Sequence, residues 1–213
     1  MEFASEMVVK ASLFGSNVAE VPTMLYPAGR SRAPHLRTWQ DGWRHLRFLL
    51  LYSPRWLFLY PGIFLMLFGF IISALLLPGP ITIRNTTFDI HTLLYSAMAI
   101  ILGYQVILFA VFTKVFAISE GLLPEDRRLK RLFRIIRLEE GLIIGAILAV
   151  LGAGLTAFAY WRWSVASFGD LVPSQTFRVV ISAAVSLILG IQTIFSSFFL
   201  SVLGLKRQDK RFS

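Results

Sequence analysis

Four stretches of about twenty residues are almost wholly apolar, and about that length of α-helix is needed to cross a bilayer. They are residues 56–77, which hold no charge, 93–117 with Lys114 near the end, 142–160 and 179–205. In hydrocarbon every backbone N–H and C=O must be satisfied within its own segment, so each stretch reads as a helix. The rest of the composition agrees. Of the 213 residues 56% are hydrophobic and 15% charged, where a soluble domain has about 45–50% and about 25%. Nineteen Phe residues exclude disorder. The absence of Cys excludes a disulfide scaffold, a thiolate nucleophile and Cys-ligated zinc. The fold class expected is an all-α integral membrane protein with four transmembrane helices. No basic stretch followed by a short apolar core opens the chain, so no cleaved leader is expected.

The net charge of +9 is a topology signal before it is a nucleic-acid signal, because no basic module stands apart from the spans. Eighteen Lys and Arg lie before the first span, between spans two and three with Lys114 counted at the border, or after the fourth. Only Arg84, Arg162 and Arg178 lie on the other side. That asymmetry places both termini in the cytosol of a multi-pass protein of the cell membrane. Trp56 at one edge, with Trp161 and Trp163 at the other, suits the headgroup preference of indole rings. Tyr60-Pro61-Gly62 is expected to kink or loosen the first turns of span one. Asn85-Thr86-Thr87 fits a glycosylation sequon on an outer loop, a weak pattern.

Gly141, Gly145, Ala149, Ala153 and Ala157 recur every four residues, and Ser182, Ser186 and Gly190 do so in span four. Small residues at this spacing let helix backbones approach closely. The stripe suits packing of spans three and four within one chain, with a homodimer as the alternative. Gln105 and Gln192 lie mid-span and are expected to hydrogen-bond across helices.

The first 55 residues cannot bury a core of their own. Phe3, Met7, Ala11 and Phe14 recur at helical spacing until Gly15 and Asn17 stop the helix, and residues 18–23 read as a strand. A lone strand leaves its backbone groups unpaired, so this piece is expected to complete something larger. A basic loop follows, Gly29-Arg30-Ser31-Arg32-Ala33-Pro34-His35. Residues 36–52 then read as an amphipathic helix, with Leu36, Trp39, Trp43, Leu46 and Leu50 on one face and Arg37, Arg44 and Arg47 opposite. Trp and Leu against Arg suits a helix in the headgroup plane. Two Arg and a hydroxyl just before it would lie at phosphate depth, serving a bound phosphate or attraction to headgroups in general. A second interfacial helix is expected in the loop between spans two and three. There Leu129, Leu132, Phe133 and Ile136 lie opposite Arg127, Lys130, Arg131 and Arg134.

The order of these pieces carries a resemblance. A helix with FASEM (3–7), a strand with AEVPT (19–23), an Arg-Ser-basic loop, a Trp-rich helix with DGWRHLRF (41–48) and then paired spans resemble the carboxy-terminal part of membrane-bound family 2 glycosyltransferases. These are the dolichyl- or polyprenyl-phosphate mannosyl- and glucosyltransferases. The resemblance implies three parts. Residues 1–28 are a helix-strand remnant of a cytosolic α/β GT-A domain, 29–55 a basic loop with its interfacial helix, and 56–213 the transmembrane domain. It also implies a function, sugar transfer from a nucleotide sugar to a polyprenyl phosphate, with the acceptor phosphate as an anionic nucleophile. The family's Arg/Lys-Ser-Lys element maps onto Arg30, Ser31 and Arg32, with Arg37 and Arg44 as further candidates for the lipid phosphate. Arg in place of Lys still pairs with phosphate, even bidentately. Glu6 falls on the helix that closes the family's domain and is a candidate for orienting substrates.

The family holds Mg or Mn on an Asp-x-Asp motif in its catalytic domain. No Asp-x-Asp occurs here; Glu125-Asp126 and Glu139-Glu140 are adjacent pairs beside a membrane helix. There is no Gly-rich phosphate loop, and His35, His45 and His91 are scattered without metal-ligand spacing. The chain by itself is therefore expected to hold no catalytic residue, metal or nucleotide sugar. Its expected partners are membrane lipid, polyprenyl phosphate and a catalytic domain that is missing or separately encoded. The competing expectation is a non-enzymatic four-span accessory protein, which anchors a separate catalytic chain or assists translocation of a lipid-linked sugar.

Overall fold

A computed structural model describes residues 7, 8, 10–12, 15–24, 39–44, 46, 55–120, 123 and 138–209. Its body is four long helices: α1 (Tyr60–Leu76), α2 (Ile90–Ser119), α3 (Leu138–Val165) and α4 (Pro173–Asp209). Each of the four, α1 together with the five residues that precede it, is long and apolar enough to span a membrane. α3 begins four residues before the apolar stretch read from sequence, with Glu139 and Glu140 in its first turn, where carboxylates suit the helix dipole.

The expected loosening of span one is present. Arg55–Leu59 forms a π-helical turn that leads into α1. Pro61 lies at the α1 start, where it lacks an N–H to donate and its ring crowds the carbonyl four residues back. Widening the preceding turn relieves both, and short π segments are the usual way a helix takes up such a defect.

The packing order in space is α1, α2, α4, α3. α3 packs chiefly along α4, α1 along α2, and α2 also meets α4. Burial follows that order: the share of each span's most apolar window buried within the protein is 28% for α2 and 22% for α4, against 17% for α1 and 11% for α3. Faces left open are apolar, as lipid tails require. The buried positions are mostly small, among them Ala97, Ala110 and Ala183 with Ser96, Ser196 and Ser197. In lipid, hydrophobicity does not drive helices together, so close backbone contact must.

The small-residue stripe of span three is used internally, against span four, and it drifts. A Cβ placed on Gly145 would lie 2.9 Å from Gly190 O, one on Gly190 2.6 Å from Ala149 N, and one on Gly152 2.6 Å from Leu187 N. Gly141, Gly145, Ala149 and Gly152 thus make the contact, while Ala153 and Ala157 are exposed. The strict four-residue row leaves the interface because a helix turns every 3.6 residues. The opposing face of α4 presents Ala183, Leu187, Gly190, Ile194 and Ser197. The Ser182 and Ser186 hydroxyls bond carbonyls of their own helix. A second glycine contact joins α1 to α2: a notional Cβ on Gly103 would lie 2.5 Å from Met66 N and 2.7 Å from Gly62 O, and one on Gly69 2.5 Å from Ser96 O.

The expected roles of the two glutamines are not met. Gln105 is exposed, and the Gln192 Oε1 is buried without a hydrogen-bond partner. Hydroxyls link the helices instead: Ser73 with Ser96 at 2.7 Å and Tyr104 with Thr193 at 2.7 Å. A hydroxyl can reach a neighbour from a close-packed interface where a carboxamide does not fit.

Between α1 and α2 lies a hairpin that sequence reading missed. β1 (Ile81–Ile83) pairs antiparallel with β2 (Thr86–Phe88), Ile81 opposite Phe88, across a two-residue turn with Arg84 at φ 54°. A left-handed first turn residue matches the twist of paired strands. At the end of α3, Tyr160, Trp163 and Phe168 pack their rings together, close to where Trp161 and Trp163 were expected to mark the membrane edge.

Nearer the amino terminus, residues 10–12 are helical and Gly15, at φ 73°, ends the turn. Ser16 N–H donates to Ala11 O and Gly15 N–H to Ser12 O, the Schellman pattern that favours glycine. Residues 18–23, expected as a strand, are not one. They carry no strand pairing among the described residues, and Val18 and Val21 are exposed. A strand needs a neighbour to take its hydrogen bonds, and no described segment offers one.

Candidate functional site

Of the residues singled out for the lipid phosphate, Arg44 lies within the described structure. Arg30, Ser31, Arg32, Arg37 and Glu6 lie outside the described residues, as does the second interfacial helix. Residues 39–44 are helical, as the amphipathic pattern requires. Trp39 is 86% exposed and Trp43 60%, an open indole face suited to insertion among headgroups. Arg44 Nη1 lies 3.9 Å from Asp41 Oδ1, and the Arg44 side chain is 66% exposed. An exposed pair of this kind contributes about 0–1 kcal/mol. The guanidinium can therefore exchange Asp41 for a phosphate oxygen at little loss.

At the opposite end of the spans, where α1 ends and α4 begins, two features assemble that the sequence did not reveal. The first is a polar tie. Arg178 on α4 forms an ion pair with Asp89 at the start of α2, donates through Nε to Leu76 O at the end of α1 (3.2 Å) and through Nη1 to Ser174 O (2.7 Å). Arg178 is 12% exposed and Asp89 28%, so three spans are joined by one half-buried guanidinium. The second is a cavity of about 380 Å³ between the hairpin and the upper parts of α1 and α2. Phe68 and Leu75, Ile81 and Phe88, and Tyr95 form much of its wall. The Ser96 hydroxyl, also at this wall, already donates to Leu93 O and pairs with Ser73. Thr92 and Tyr95 carry the other hydroxyls there and the rest of the wall is apolar, so the cavity suits hydrocarbon better than a sugar or a nucleotide.

Among the described residues no group of three or more His, Asp or Glu is placed to hold a metal ion. The sequence adds no Asp-x-Asp outside them.

Comparison with known proteins decides the family. Residues 111–204 match the model of the glycosyltransferase family 2 C-terminal transmembrane region. The chain is also 32% identical over 205 residues to the low-salt glycan biosynthesis hexosyltransferase Agl6 of Haloferax volcanii, a match that covers 96% of this chain and 48% of the relative. This chain carries the C-terminal membrane part of a family 2 glycosyltransferase. It spans about half the length of the curated relative it matches. No solved structure matches it. The family region takes in the carboxy-terminal third of α2, all of α3 and most of α4. The match to the hexosyltransferase, at 205 of 213 residues, leaves room to omit only eight. It therefore includes most of the basic loop and the Trp-rich helix as well as the spans.

Proposed function

We propose that this chain anchors a polyprenyl-phosphate glycosyltransferase in the membrane and holds its lipid-phosphate acceptor, for transfer of a hexosyl group from a nucleotide sugar. The observation that carries the reading is the extent of the match to a hexosyltransferase, which runs through the basic loop and the interfacial helix into all four spans. In this reading Arg30, Ser31 and Arg32 grip the phosphate, with Arg37 and Arg44 nearby, while Trp39 and Trp43 keep the helix at headgroup depth. The transfer needs positioning and charge stabilisation more than a base, because the acceptor phosphate is already an anion. The nucleotide sugar and its Mg or Mn belong to a catalytic domain outside these residues, and this chain alone is expected to be inactive.

Binding of a short polyprenyl phosphate, compared with the neutral polyprenol, tests the acceptor role on the purified chain in detergent. The wild type is expected to prefer the phosphate. Arg30→Ala/Arg32→Ala should weaken phosphate binding at least tenfold, since one charge-assisted hydrogen bond is worth about 1.5–3 kcal/mol. Arg44→Ala should weaken it less. Equal binding of phosphate and alcohol, unchanged by the double substitution, would reject the acceptor site and leave an anchor.

Orientation has a separate test. The chain has no Cys, so a single Asn85→Cys on the hairpin turn gives a clean topology probe. In intact cells an impermeant maleimide is expected to label it, and to leave a Ser16→Cys variant unlabelled until the cells are opened. The reverse pattern would overturn the cytosolic placement of the amino terminus.

A further inference from the structure

Gln105 lies at the middle of α2, about 21–22 Å along the axis from either end of that helix at about 1.5 Å per residue. Its side chain is too short to reach headgroups from there. It is exposed on the outer surface of the protein, which at this depth means lipid tails. No hydrogen bond joins it to any described residue; Ser96 and Tyr104 of α2 do bond to neighbouring spans. A carboxamide left unbonded in hydrocarbon is strongly disfavoured, and polar side chains inside a membrane almost always face protein.

The surroundings of Gln105 form one continuous face. Leu94, Met98, Leu102, Phe109 and Phe116 are each about half exposed. At about 100° per residue they fall within about 80° of one another, with Gln105 among them. The small-residue contacts that would ordinarily bring two chains together are already consumed, α1 against α2 and α3 against α4. α2 is flanked by α1 and α4, so the Gln105 face is the surface it has left.

We propose that this face is the contact with a second copy of the chain, closed by reciprocal hydrogen bonds between the two Gln105 side chains. A carboxamide carries both donor and acceptor, so it is complementary to itself across a two-fold axis, and a two-fold contact brings the same patch of each subunit together. Each Nε2–H donates to the Oε1 of the other copy, and the apolar stripe packs on either side. The contact does not depend on which lipid or sugar the protein handles.

The test uses the full chain in liposomes. Because the protein has no Cys, Leu102→Cys reports the interface, and Val150→Cys on α3, at a position 71% exposed, reports chance collision. Oxidation is expected to cross-link the first and not the second. Förster transfer between labelled copies, followed as lipid is added, should give a dimer dissociation constant that Gln105→Leu raises about tenfold, equivalent to about 1.4 kcal/mol. Leu at a lipid-facing position leaves the fold intact, and an unchanged unfolding midpoint checks this. Transfer no greater than random proximity predicts, a constant unmoved by Gln105→Leu, or equal cross-linking at the two Cys positions would each overturn the proposal.

Discussion

Adding one methyl group at Gly190 or at Gly103 is expected to destabilise the helix bundle by about 1–3 kcal/mol, the usual range for overpacking a well-filled interior. At Gly190 the new Cβ would lie 2.6 Å from Ala149 N and 2.8 Å from Gly145 O; at Gly103, 2.5 Å from Met66 N and 2.7 Å from Gly62 O. All four are backbone atoms of the facing helix, so no side chain can move aside and the helices must separate. Separation also removes the close contact that holds helices together in lipid. Gly154 is the control, since nothing lies within 4 Å of its notional Cβ. There the substitution should be neutral or stabilise by up to about 1 kcal/mol through helix propensity. Unfolding by added SDS, followed by Trp fluorescence, measures all three. If Gly190→Ala and Gly154→Ala behave alike, α3 and α4 do not meet along this face.

The second large effect is expected at Arg178. Its guanidinium serves Asp89, Leu76 O and Ser174 O together, and thereby ties α1, α2 and α4 at one end of the bundle. Arg178→Ala strands a partly buried carboxylate and the Leu76 carbonyl at the end of α1. Removing one partner of a buried pair costs about 3–5 kcal/mol; with Asp89 28% exposed, about 2–3 kcal/mol is expected. Asp89→Asn should lose less, because an amide oxygen still accepts from Arg178. A double-mutant cycle in the same unfolding assay isolates the coupling. Additive losses would show that the two side chains do not act as a pair. Arg178→Lys should fall between the extremes, since a single ammonium cannot serve three acceptors arranged around a planar fork.

Arg178 also marks where reading along the chain stopped. As one of three basic residues on the less basic side, it entered the topology count as a charge. Its partners are Asp89, 89 residues away, and Leu76 O, 102 residues away. No local pattern announces a contact of that range. The hairpin was missed for a different reason. Ile81–Ile83 and Thr86–Phe88 are three residues each, too short for alternation to register, and the turn holds Arg-Asn where a glycine would have been the signal. The second glycine contact escaped because Gly62 and Gly69 are seven residues apart in one span and Gly103 stands alone in another. The lipid-phosphate candidates were legible as Arg, Ser and Arg beside a headgroup-plane helix, a pattern of residue types that needs no distant contact to be seen.

The sequence alone determined the medium this protein lives in and its four crossings of it. It also determined the short helix with its exposed Trp face, the glycine that ends the first helical turns, and the region of the family to which the spans belong. All of these rest on local quantities: apolar length against bilayer thickness, the 3.6-residue period, and the conformational freedom of one glycine. The tertiary structure decided which helix lies beside which, where the small-residue stripe leaves the interface, and which polar side chains turn inward and which outward. Gln105 and Gln192 show why. In sequence they are the same residue in the same setting, an amide in the middle of an apolar run. One is turned outward and the other inward only because α2 and α4 meet along particular faces, and that choice depends on backbone contacts between segments far apart in the chain.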